Sequence, residues 1–196
     1  MTTHFQRSIG FLVLLSLTCL GCAKDPFSTR PPSRPTGEQG TYRTPVDPQI
    51  ALDTNLYYAM VERNASHYPL TLADSLVYVF DYLLTGPPDS ALTWGKLEED
   101  RIARNLFAGT TAISVAWWPT PGRSDRYEDT LTTLYRTYEI TASILEQEGT
   151  KSYDFKGEMV VQLARNPQDL WWIVRWEDLH KGDGAPSWAD LKSRFR

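Results

Sequence analysis

Cysteine is nearly absent from this chain. There are two among 196 residues, Cys19 and Cys22, and both fall in the first 22 positions. No disulfide can therefore staple anything downstream, and a Cys/His zinc site has no ligands there. Histidine is as scarce, and only His67 and His180 lie beyond the N-terminal segment. A basic excess is also missing. The 20 Lys+Arg face 24 Asp+Glu, for a formal net charge of −4, so no cationic surface can follow a phosphate backbone. Nucleic acid is not an expected partner. No glycine-rich phosphate loop, nucleophile elbow or other recognised catalytic pattern occurs, so no cofactor and no metal are expected.

What is present begins with residues 1–22, MTTHFQRSIGFLVLLSLTCLGC. Arg7 supplies positive charge, and Ile9 to Leu17 form an apolar run broken only by Gly10 and Ser16. The run is too short to span a bilayer and fits the core of a signal peptide. It ends in Cys19-Leu20-Gly21-Cys22, which resembles the lipobox of bacterial lipoproteins: Gly21 is the small residue before the acceptor, while Cys19 stands where that family usually has leucine. The resemblance implies cleavage after residue 21 and acylation of Cys22. Three acyl chains, at about 0.8 kcal/mol per buried methylene, would hold the protein on a membrane. Ala23 follows the cysteine, which points to outer-membrane delivery facing the periplasm.

Residues 23–47, AKDPFSTRPPSRPTGEQGTYRTPVD, carry five prolines and almost no aliphatic side chains. Such a composition cannot bury enough surface to fold and reads as a tether, so the lipidated cysteine and tether together cover 22–47. As a random coil the tether spans roughly 25–30 Å.

Folding is expected over 49–196. Asp47-Pro48 is a good helix start, and Leu52, Leu56, Ala59 and Met60 recur at helical spacing behind it. A second short helix is expected in ASHYPLTLAD, beginning near Pro69. Residues 75–83, SLVYVFDYL, read as a strand. Residues 95–107 read as a helix, with Gly109 as its C-terminal cap. Period-two alternation follows. Ile113, Val115 and Trp117 share one face; Leu134, Tyr138, Ile140, Ala142 and Ile144 another; Tyr153, Phe155, Met159, Val161 and Leu163 a third. Residues 170–179 form the last strand, and Ser187 with Asp190 forms a capping box for a closing helix. The expected fold class is α+β in a single domain: two helices, a strand, a helix, then a curved antiparallel meander of about four strands.

That order is similar to the cone of nuclear-transport-factor-two-like proteins, a fold shared with ketosteroid isomerase, scytalone dehydratase and polyketide cyclases. The matching stretches are NLYYAMVERNASHYPLTLADSLVYVFD, RNLF, WWIVRWED and SWADLK. The resemblance implies helices on the concave face of a cystatin-like sheet, and either an enzyme with ionisable groups inside the cone or a non-catalytic binding module.

Several residues could line such a cone: Tyr78, Phe80, Trp117, Arg136, Tyr138, Trp172, Trp176 and Asp178. Alternation in LWWIVRWED puts Trp172, Val174, Trp176 and Asp178 on one face, leaving Trp171 and Ile173 on the other. A carboxylate behind indoles could orient a ligand, and it would have a raised pKa if desolvated. Arg136 either points to the apolar side or snorkels to water. His67, beside Pro69, and His180, in a turn-like HKGDG, read as surface or turn residues. The reading that follows is a membrane-anchored, non-catalytic module that binds a small apolar ligand or another envelope component. One alternative is an isomerase or dehydratase using Asp178 or Asp81 as base and Tyr78 as hydrogen-bond donor. The other is a homodimer paired through the outer sheet face by exposed Trp171 and Ile173.

Overall fold

The computed structural model describes residues 41–80, 93–181 and 184–196. The expectations for the signal peptide, Cys22 and most of the tether lie outside these residues, as does Asp81. No helix among the described residues is long and apolar enough to cross a membrane.

Helix α1 is wound as a π-helix over Ile50–Leu56 and continues as an α-helix over Tyr57–Val61. Its start follows the expected chemistry, with the Asp47 carboxylate accepting from the Gln49 amide at 2.7 Å. Leu52, Leu56, Ala59 and Met60 are all fully buried. The expected second helix is only a 3-10 turn, Tyr68–Thr71, with proline in its first positions. Strand β1 follows at once, Leu72–Phe80. Leu72 and Ala73, expected in that helix, are buried strand residues because their apolar side chains gain more against the sheet than another helical turn would supply.

A two-residue strand β2 (Thr93–Trp94) leads into α2 (Lys96–Gly109). The remaining strands are β3 (Thr110–Pro119), a short β4 (Arg126–Tyr127), β5 (Leu131–Glu146), β6 (Gly149–Arg165) and β7 (Trp171–His180). Helix α3 (Trp188–Ser193) closes the chain behind the expected Ser187/Asp190 capping box. Gly109, expected as the cap of α2, is its last helical residue, with Thr110 in the cap position, and a Cβ on Gly109 would stand 2.5 Å from the Phe195 ring.

The strands form one sheet in the order β2-β1-β7-β6-β5-β3, with β4 beside β5. Every pair is antiparallel except β1 with β7, which is parallel, so the sheet is mixed rather than a pure meander. The result is the expected α+β cone: a curved sheet whose inner face packs against α1, α2 and α3 around a single core.

One register detail alters the expected faces. Leu163 pairs with Ile173, yet Gln162 pairs with Arg175, so Val174 is an extra residue in β7. Such a bulge inverts the alternation on one side of it. Trp171 and Ile173, expected on the outer face, are therefore 3% and 0% exposed, while Trp172 is only half-buried. Trp176 and Asp178, beyond the bulge, keep the inner face.

Residues 41–47, read from composition as the end of the tether, lie against the domain. Tyr42 stacks on His67 at 3.8 Å. Asn55 exchanges two hydrogen bonds with the Arg43 backbone, at 2.9 and 2.7 Å, and the Trp171 amide donates to the Pro45 carbonyl at 2.8 Å.

Candidate functional site

Five of the expected residues converge inside the cone. The parallel pairing of β1 with β7 sets Tyr78 opposite Trp176 and Phe80 opposite Asp178. Tyr138 reaches the same place from β5, two strands away, by lying across Gly157 of β6, where a Cβ would come within 2.5 Å of the phenol oxygen. The space between them is filled by the chain itself. Trp94 stacks on Tyr78 at 4.5 Å, and Trp188 of α3 packs edge-on to Trp176 at 4.7 Å and to Tyr138 at 5.7 Å. Trp176, Trp188, Tyr78 and Tyr138 have no exposed surface. Burying an aromatic side chain of this size contributes about 3 kcal/mol, so the filled cone is a large share of the fold's stability.

Asp178 is buried and holds α3 in place. One carboxylate oxygen accepts from Tyr138 Oη at 2.5 Å, and the other accepts from Ser187 Oγ at 2.9 Å and the Ala189 amide at 2.7 Å. Tyr138 Oη in turn accepts the Trp188 amide at 2.8 Å. Burial raises the Asp178 pKa, and the three donors together with Lys192 oppose that rise. Burial and the Asp178 charge also push the Tyr138 phenol up, so it stays a donor. A buried carboxylate with one oxygen committed to the N-terminal turn of α3 and the other to a strand tyrosine is a structural acceptor.

The other end of α3 is pinned by an ion pair that the sequence reading missed. Lys192 Nζ lies 2.6 Å from Glu99 Oε1, with side-chain exposures of 2% and 0%. The ammonium sits 3.8 Å from the Tyr78 ring centre and 4.3 Å from that of Trp176. Glu99 also accepts from Tyr68 Oη and, at 2.6 Å, from Trp94 Nε1. Spacing alone carried a signal for both residues. Glu99 precedes Ile102, Ala103 and Leu106 by three, four and seven positions, and Lys192 follows Trp188 by four. Among the described residues, Tyr78 Oη, Trp176 Nε1 and Trp188 Nε1 are buried in this region without a partner. The filled cone thus carries a polar cost of about 1–3 kcal/mol for each such group.

Trp117 and Arg136 line an open groove of about 790 Å³ between α1 and the β3–β5 edge, and the Trp117 ring stacks on Trp188 of the cone at 6.3 Å. Arg136 is 3% exposed and does not snorkel to water. Its guanidinium donates to both Asp125 oxygens at 2.8 and 2.9 Å and lies 3.7 Å from Asp53. Asp53 also accepts from Trp117 Nε1 at 2.8 Å. Tyr57 meets Trp117 edge-on at 5.6 Å and Tyr58 edge-on at 5.2 Å. Tyr58 and Trp118 are each 38% exposed at the rim. Tyr57, Tyr58, Asp53 and Asp125 were not singled out in the sequence, because α1 and the β3–β5 connection meet here only through the fold. Trp172, the remaining expected residue, joins neither the cone interior nor the groove. His67 stacks on Tyr42; His180, expected in a turn, is instead the last residue of β7, its side chain 4% exposed and its Nε2 2.9 Å from Asp190.

No family model matches the chain. No curated protein matches it in sequence. Solved structures do match in shape. A protein from Kribbella flavida aligns with a TM-score of 0.54 at 14% identity, over 71% of this chain and 90% of that one. A nuclear-transport-factor-two-like superfamily protein from Salmonella enterica aligns with a TM-score of 0.48 at 12% identity, over 68% and 90%. A hexachlorocyclohexane dehydrochlorinase aligns with a TM-score of 0.45 at 10% identity, over 65% and 78%. At 14% identity the likeness to the Kribbella flavida protein is one of fold, and function has to be argued from the site.

Proposed function

We propose that this chain is a membrane-anchored lipoprotein of the cell envelope, held through acyl chains on Cys22, whose cone domain is a non-catalytic binding module. The observation that carries this reading is the commitment of Asp178. The best-placed acid of the cone has both oxygens engaged by Tyr138, Ser187 and Ala189, and the ring of Tyr78, the partner donor in an enzyme, lies under Lys192. With the cone filled by its own tryptophans, the binding surface proposed among the described residues is the open groove at Trp117 and Arg136. The homodimer reading loses its two anchoring residues, since Trp171 and Ile173 face inward.

The test uses intact cells making the full chain. A fatty-acid analogue should label the wild type, and Cys22→Ser should abolish labelling and release the protein from membranes. A photo-crosslinking residue at Trp118 should yield a discrete adduct, while one at Val77, exposed on β1, should not. Labelling that survives in Cys22→Ser sinks the anchor. Equal adducts at both positions sink the groove.

A further inference from the structure

The groove's chemistry narrows its ligand, on the premise that the groove rather than the cone is the binding surface. Its charges balance: Asp53 and Asp125 against Arg43 and Arg136. The Arg136 guanidinium is already wrapped by Asp125 on one side and approached by Asp53 on the other. An ionic ligand would therefore gain no unopposed counter-charge and would lose its hydration. A wholly apolar ligand fits no better. The groove is open to solvent and floored by carboxylates and a guanidinium, whereas apolar ligands are held by enclosure.

What the groove does offer is aromatic surface next to rigid polar groups. Tyr58 and Trp118, each 38% exposed, are among the residues that line it, and Tyr57 is braced edge-on between Tyr58 and Trp117. Asp53 is fixed by the Trp117 indole, and Asp125 accepts from the Tyr135 amide at 3.0 Å as well as from Arg136. Rotamers fixed in this way lose little entropy when a ligand binds, which favours hydrogen bonds to many weak donors.

A neutral molecule with a flat C–H face and a rim of hydroxyls satisfies all of these conditions. We infer that the groove between α1 and β3 is a carbohydrate-binding site: sugar rings lie against Tyr58 and Trp118, and their hydroxyls donate to Asp53, the more exposed of its two carboxylates. The open ends admit a chain of sugars rather than one closed-in monosaccharide.

The full chain in detergent would be titrated with N-acetylglucosamine tetramer and with cellotetraose, following tryptophan fluorescence. At least one should give saturable quenching, and Trp118→Ala and Tyr58→Ala should each weaken it by about tenfold. Both side chains are partly exposed, so thermal midpoints should not move. A tetralysine peptide and a fatty acid should give no saturable change. The inference is overturned if neither sugar saturates up to about 10 mM, an affinity too weak to matter. It is also overturned if Trp118→Ala binds as tightly as the wild type. Sugars that fail while the crosslinker at Trp118 still captures a discrete protein would remove the carbohydrate assignment and leave the groove reading standing. Failure of both removes both.

Discussion

Tyr138 Oη donates to Asp178 at 2.5 Å and accepts the Trp188 amide at 2.8 Å, so one phenol joins β5, β7 and α3. It can do so because Gly157 leaves room for it. Gly157→Ala would put a methyl 2.5 Å from the phenol oxygen and 2.7 Å from the Leu179 carbonyl. Overpacking of this kind costs about 1–3 kcal/mol. Urea denaturation should show that loss, and amide exchange should be fastest over 187–193, where the displaced phenol no longer holds the helix.

The Lys192–Glu99 pair gives stability a measurable dependence on pH. Burial, the largest cause, holds the Lys192 pKa below its ordinary 10.5, with Glu99 opposing. Between the lowered folded value and 10.5, the unfolded chain keeps a proton that the folded chain has released. Stability therefore rises with pH across that window. Lys192→Met should remove the rise. It should also destabilise the fold by about 3–5 kcal/mol, because Glu99 is left buried without its cation. Adding Glu99→Gln should recover most of the loss. Denaturant midpoints of the wild type, both single variants and the double variant, measured from neutral to alkaline pH, test all three statements.

The bulge at Val174 makes a prediction opposite to simple alternation. Ile173→Lys places a charge in the core and should prevent stable folding, whereas Trp172→Lys gives up only partial burial and should cost about 1–2 kcal/mol with the fold retained. Circular dichroism melts of the two variants distinguish the registers directly. A tolerated Ile173→Lys would mean that β7 pairs without the extra residue.

Much of the architecture was legible in the sequence. The alternation along Leu134, Tyr138 and Ile140 and along Phe155, Met159 and Val161 is that of strands with one buried face, and these residues are buried. Leu52, Leu56, Ala59 and Met60 marked the inner stripe of α1 in the same way. A bulge leaves no trace in hydropathy, so Trp172 was read onto the wrong face. The 3-10 turn at Tyr68–Thr71 was misread because Leu72 and Ala73 fit a helix and a strand equally well. Arg136 and Asp178 were recognisable as charges on apolar faces. What engages them was not, because Asp125, Ser187 and Ala189 approach from other elements. Glu99 and Lys192 share helical spacing with buried residues on their own helices, but that they pair with each other shows only in the fold.

The way residues 42–45 join the domain also determines how a pull on the N-terminal segment would be borne. Tyr42 on His67, the paired bonds between Arg43 and Asn55 of α1, and Trp171 bonded to the Pro45 carbonyl all fasten residues that precede α1. Tension entering from that side would be shared among these fastenings, passing into α1 through Asn55 and into β7, an interior strand of the sheet, through Trp171. Helix α1 walls the groove, so such a load would reach the groove as well as the sheet.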